Sequence, residues 1–125
     1  MTKITVRPDC GNAPKKDFLK EINIAFAKGN SDFLLERVTD KIVWNIIGDK
    51  KLEGKKKVTE VLEKMKTEKA SELILDQILT HGKEGAVSGI MKMKNGKKYA
   101  FSDFYEFNTA KGVKVKSITS YVIEL

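Results

Sequence analysis

Apolar positions in the first half of the chain recur at helical spacing, and in the second half they follow the shorter period of strands. Phe18, Ile22, Ala25 and Phe26 share one face of a helix predicted from Pro14 to about Lys28. Asn12 is placed to cap it, Pro14 suits its first turn, and Gly29 ends it. Asn30 opens a second, shorter helix carrying Phe33, Leu34 and Val38. The β-branched stretch KIVWNII, Lys41 to Ile47, reads as a strand. After Gly54, Val58, Val61, Leu62 and Met65 give the spacing of a third helix. Ser71 to Thr80 is then a strand with Ile74 and Ile78 on one face and Leu73, Leu75 and Leu79 on the other. A hairpin and a final strand from Val113 to Glu124 complete the chain. Residues 1–13 form an arm in which Ile4 and Val6 are the only apolar strand-like positions before Pro8 and Gly11 interrupt. Three helices with one inserted strand, then four antiparallel strands, predict an α+β domain over residues 14–125, its helices on one face of a sheet.

The hairpin organises the rest. Lys94-Asn95-Gly96-Lys97 is a two-residue turn signal, because Asn and Gly both tolerate positive φ. The register that follows sets Ile90 against Phe101, Ser88 against Asp103 and Ala86 against Tyr105. One sheet face then carries Ser88, Ile90, Phe101, Asp103, Tyr105 and Phe107. A carboxylate in an aromatic row is costly to bury without a partner. The opposite face would carry Val87, Met91, Met93, Phe104, Tyr121 and Ile123, an apolar patch of the kind that marks a partner surface.

Composition narrows the functional classes. The chain has 125 residues, a length at which roughly two-thirds of the unfolded chain's surface is buried on folding. It has no long apolar run and no apolar N-terminal signal region, so a cytoplasmic protein without membrane contact is expected. The net charge of +7 is scattered and comes almost wholly from lysine, Arg7 and Arg37 being the arginines. Nucleic-acid sites favour arginine forks and stacking aromatics, so no nucleic-acid partner is expected. The single Cys10 excludes an internal disulfide and is read as a free thiol. His81 stands alone in a turn and no metal-ligand spacing occurs, so neither a metal nor a cofactor is expected.

The order of elements, with particular residues, resembles the SnoaL-like branch of the nuclear transport factor two and ketosteroid isomerase-like superfamily. The residues are Phe26-x-x-Gly29-Asn30, Val38-Thr39-Asp40-x-x-Val43-Trp44, Gly48 with Leu52-x-Gly54, the hairpin, and Ser117-Ile118-x-Ser120. The resemblance covers about Pro14 to Leu125. It implies a cone-like roll, with the three N-terminal helices packed on the concave face of a strongly curved, mainly antiparallel sheet around a pocket. It also implies that the convex face is a homodimer interface. Asp103 stands where relatives carry a catalytic or oxyanion-binding acid. At the position of the isomerase base stands Asn45, or Ile46 if the register slips, and neither accepts a proton; Ile22 falls near the isomerase tyrosine. The arginine between two aspartates that epoxide hydrolases need has no counterpart on a predicted pocket strand.

Asp103 is thus the candidate catalytic residue, for which a structural aspartate bonded to Ser88, Asn45 or a helix end is the competing reading. Candidate ligand contacts are Trp44, Asn45, Ser88, Tyr105, Ile22, Phe26 and Ser120. Trp44 and Asn45 cannot both point inward from a regular strand. The expected function is binding of an unidentified small apolar molecule, with cofactor-free isomerase, cyclase or dehydratase chemistry through Asp103. The alternative is a non-catalytic pocket or a dimeric interaction module on the same fold.

Overall fold

A computed structural model describes residues 1–9, 11, 13–111 and 114–125. The expected cap at Asn12 and the thiol of Cys10 lie outside the described residues. Three helices pack against one curved sheet of seven strands in the order β1-β4-β5-β6-β7-β2-β3. The strands are β1 (Lys3–Val6), β2 (Val38–Ile46), β3 (Lys50–Glu53), β4 (Ala70–His81), β5 (Glu84–Met93), β6 (Lys98–Phe107) and β7 (Val115–Glu124). The helices are α1 (Pro14–Lys28), α2 (Ser31–Leu35) and α3 (Lys55–Met65).

The helices end as their sequences demand. Pro14 opens α1, and Gly29 closes it in the left-handed region at φ 72°. The Asn30 side chain accepts from the Phe33 amide at the start of α2. Leu19, Ile22, Asn23, Ala25 and Ala27 are the buried members of α1, and Phe18 and Phe26 pack at its edges. Val58 and Leu62 anchor α3.

The sheet departs from the expected meander in three ways. The arm contributes β1, which runs parallel to β4 with Ile4 across from Leu73. The charged stretch KKLE forms β3, held through the one apolar residue, Leu52, which pairs with Trp44. β2 joins the sheet parallel to β7, with Trp44 across from Ile118. Within β4 the register shifts between Leu75 and Gln77. Such a bulge moves the inward face from odd to even positions, so Leu73, Leu75 and Ile78 are buried while Leu79 is exposed.

The central hairpin holds a second correction. Met93 closes it by accepting from the Gly96 amide and donating to the Lys97 carbonyl, and Asn95 Oδ1 accepts from the Lys97 amide. Within this loop Gly96 alone has positive φ. The loop is therefore three residues long, Lys94, Asn95 and Gly96, with the glycine at the left-handed position. That extra residue slides the register by one. Ser88 pairs with Ser102 instead of Asp103, Ile90 with Ala100 instead of Phe101, and Ala86 with Phe104 instead of Tyr105. A one-residue slip exchanges the faces of a strand. Val87, Met91 and Met93 accordingly belong to the core side, and Ser88 and Ile90 to the outer side.

Candidate functional site

β6 carries Phe101, Asp103, Tyr105 and Phe107 on its inner face by simple alternation. Asp103 lies across from Val87 in β5 and from Ser120 in β7. Tyr105 lies across from Gly85 and Ile118, under α1. Gly85 is bare because Leu19 of α1 presses onto it: an added Cβ would lie 2.6 Å from Leu19 Cδ1 and 3.5 Å from a Phe107 ring carbon. This contact seats α1 low on the sheet at Tyr105.

A run of hydrogen bonds crosses the inner face there. Asn23 Nδ2 donates to the Leu19 carbonyl at 2.8 Å and to the Tyr105 hydroxyl at 3.2 Å. The Tyr105 hydroxyl donates to Asp103 Oδ2 at 3.4 Å. On the other flank Trp44 Nε1 donates to Ser120 Oγ at 2.9 Å, and Ser120 stands directly across the strands from Asp103, where its hydroxyl favours the charged carboxyl. Asn23, Ser120 and Tyr105 are all buried, while Asp103 keeps partial contact with solvent.

Burial pushes the Asp103 carboxyl up to about 6, against the hydroxyls of Ser120 and Tyr105, which stabilise its charged form. Burial, and then the neighbouring carboxylate, push the Tyr105 hydroxyl well above its ordinary range. Tyr105 is therefore a permanent donor near neutral pH, and Asp103 titrates where a group can both give and take a proton.

The sequence-derived site residues divide into two groups. Asp103, Tyr105, Ser120 and Trp44 are joined in the network, and Ile22 and Phe26 of α1 stand on the same inner side. The Phe26 and Trp44 rings meet at 5.4 Å between centroids. Ser88 and Asn45 are turned away. Ser88 sits in the outer row with Ser102, and Asn45 alternates with inward Trp44 and pairs with Thr119, a neighbour of outward Phe104. Asn45 cannot point inward because Trp44 does. The inward residue beside Ser120 is Ile46, which has no proton to give or take.

Asn23 was not anticipated from the sequence. Its signal is a polar residue on the buried stripe of a helix, between Leu19, Ile22 and Phe26. A cavity of about 10 Å3 lies beside this network, walled by Ile22, Phe26, Trp44, Ile118 and residues of α2 and α3. That is space for about one water, far below the roughly 300 Å3 of a small-ligand pocket. The arginines stay outside: Arg7 pairs with Asp76 at 3.0 Å, and Arg37 lies over the Phe33 ring. No group of three or more His, Cys, Asp or Glu with metal-binding geometry occurs among the described residues. Among those residues, too, no helix is long and apolar enough to cross a membrane.

No family model matches the chain, and no curated protein matches it. Solved structures do. An NTF2-like protein of unknown function from Cytophaga hutchinsonii is 25% identical, with TM-score 0.69, over 87% of this chain and 99% of that one. An LEH-like epoxide hydrolase from M. tuberculosis is 12% identical, with TM-score 0.73, over 87% of this chain and 82% of that one. SalBIII, an epoxide hydrolase/cyclase-like enzyme of pyran ring formation in salinomycin, is 20% identical, with TM-score 0.74, over 88% and 91%. The chain has the NTF2-like fold, an α+β cone of helices on a curved mixed sheet. This is the superfamily in which the SnoaL-like branch lies, in agreement with the sequence resemblance.

Proposed function

We propose that the protein binds a small, mostly apolar molecule on the inner face of the sheet and uses Asp103 as a proton-transfer group without a cofactor. The observation that carries this reading is a carboxyl raised to about 6 on an otherwise aromatic and aliphatic surface. A purely structural aspartate gains most when its charge is fully compensated, whereas this one is left close to the pH at which proton transfer is efficient. The fitting reaction is isomerisation, cyclisation or dehydration that starts at a carbon next to a carbonyl. Asp103 would take the C–H proton and the electron pair would delocalise onto the carbonyl oxygen. The same carboxyl would then return the proton to another carbon in an isomerisation, to the departing hydroxyl, lost as water, in a dehydration, or to the alkoxide left when the enolate carbon adds to a second carbonyl in a cyclisation. The cavity of about 10 Å3 is not walled by Asp103 and is too small for such a ligand, which would have to make its own room beside the carboxyl.

The chain's lone tryptophan, Trp44, touches the network and reports on occupancy. Titration with a bicyclic ketone such as 2-decalone should change Trp44 emission saturably, and folded Asp103→Asn should bind more weakly. Non-saturable emission would count against the reading. So would unchanged binding in an Asp103→Asn variant whose melting temperature drops by many degrees, because Asp103 would then be structural.

A second reading rests on the outer face. Leu79, Phe104, Tyr121 and Ile123 are 60%, 54%, 46% and 66% exposed, and they share the outer face of the sheet on β4, β6 and β7. Phe104 and Tyr121 meet edge to face at 6.0 Å. A second copy of the chain is the natural cover for such a self-complementary surface, making the protein a homodimer through its convex face. A dimeric module needs no open pocket, and the small cavity favours this second reading to that extent.

A further inference from the structure

Hydroxyl groups on both sides of Asp103 could in principle point either way. A serine or tyrosine O–H donates to a carboxylate, or its oxygen accepts from a protonated carboxyl. Which occurs depends on what else holds each hydroxyl, and here both are held from behind.

Asn23 is the holder of Tyr105. Its Nδ2 lies 2.8 Å from the Leu19 carbonyl, an acceptor only, so that atom is the amide nitrogen and not the oxygen. The second hydrogen of the same nitrogen goes to the Tyr105 oxygen at 3.2 Å. Trp44 is the holder of Ser120. The indole nitrogen is a donor only, and at 2.9 Å it occupies the Ser120 oxygen as acceptor. Each hydroxyl then has its proton free for Asp103: Tyr105 already donates to it at 3.4 Å, and Ser120 is its cross-strand partner in β7.

We propose that Asn23 and Trp44 are positioning residues which, by occupying Tyr105 and Ser120 as acceptors, make both hydroxyls donate to Asp103 and hold it in the resting protein as a carboxylate. The inference rests on the reading of Asp103 as the ligand-facing group and narrows it. A carboxylate offers only acceptor positions, so the complementary ligand group is a donor: an acidic C–H beside a carbonyl, or an O–H. A ligand presenting only an anion or a bare acceptor to Asp103 is disfavoured. The titratable group in contact with Asp103 is Tyr105 of β6; α1 faces the network with neutral Asn23, and β7 with neutral Ser120. The direction of the network therefore comes from the two amide and indole donors and not from a neighbouring cation.

The test is a carboxyl carbon-13 NMR titration of Asp103 in the wild-type chain, Asn23→Leu and Trp44→Phe, with Tyr105→Phe and Ser120→Ala as direct controls. Backbone spectra first establish which variants are folded. Removing a direct donor should raise the Asp103 midpoint by about one pH unit. Removing a holder should raise it by about half a unit, a threefold change in proton affinity, because the hydroxyl is then free to turn away. Midpoints unmoved in folded Asn23→Leu and Trp44→Phe, while the direct controls shift, would overturn the positioning role. A wild-type midpoint above 7.5 would overturn the resting carboxylate. The titration needs no ligand, so failure of the proton-transfer reading would leave these outcomes intact and separately visible.

Discussion

The Tyr105 hydroxyl donates to Asp103 Oδ2 from two residues further along the same strand, 3.4 Å away, and neither side chain can leave the inner face without inverting β6. Tyr105 is buried and Asp103 is not wholly so. The pair therefore spans the boundary between the packed core under α1 and the more open end of the sheet.

The raised Asp103 carboxyl has a consequence for stability. An acid whose affinity for its proton increases on folding stabilises the protein fully below its unfolded value, near 3.8, and that contribution is lost as pH rises to about 6. The span is worth ~3 kcal/mol at most, and the partial solvent contact of Asp103 brings the expectation to about 1–2 kcal/mol. Asp103→Asn removes the ionisation. Urea denaturation between pH 4 and pH 7.5 should show the variant gaining on the wild type by that amount as pH rises. Parallel stability curves would mean that Asp103 is not desolvated.

Gly89 tests the curvature of the sheet. It pairs with Leu75 beside the β4 bulge, and an added Cβ would lie 2.2 Å from the Ile74 carbonyl oxygen and 3.1 Å from the Phe101 ring. A backbone atom cannot swing aside as a side chain can. Gly89→Ala should cost about 1–3 kcal/mol in urea denaturation, more than Gly85→Ala, whose nearest obstacle is the flexible end of Leu19. Equal costs would show that the bulge is pliable.

The convex face is tested by mass. A stable interface buries about 800 Å2 on each partner, and Phe104, in contact with Tyr121 on the face that Leu79 and Ile123 share, is the natural centre. Light scattering at micromolar concentration should give twice the chain mass for the wild type and one chain mass for Phe104→Glu. A wild-type mass of one chain refutes the dimer, and an unchanged dimer in Phe104→Glu moves the interface elsewhere.

Much of this was legible in the residues. The helical spacing of Phe18, Ile22, Ala25 and Phe26 and of Val58, Val61, Leu62 and Met65 located α1 and α3, because amphipathic burial imposes that period. Alternation along β6 placed Asp103 among aromatics, because parity within one strand needs no partner. Pairing between strands was harder. Asn95-Gly96 marks the turn in either loop length, and whether Asn95 joins the glycine at positive φ is settled by the twist of the flanking strands. One residue of uncertainty exchanged Ser88 for Val87 across from Asp103. The β4 bulge hid the exposure of Leu79 in the same way. β3 escaped notice because three of its four residues are charged and only Leu52 is held inward. Asn23 is visible as a polar interruption on an apolar stripe, but its partner is 82 residues away and only the fold brings them together.

The central claim, that Asp103 transfers protons to and from an apolar ligand, is tested most directly by the pH dependence of α-proton exchange. The exchange of 2-decalone with deuterated water is followed by proton NMR, with wild-type protein and with Asp103→Asn. A carboxylate base titrating at about 6 predicts a wild-type rate above buffer that rises through that pH and levels off, and a variant at the buffer rate. A wild-type rate equal to buffer, or the same rate and profile in the wild type and Asp103→Asn, would contradict it.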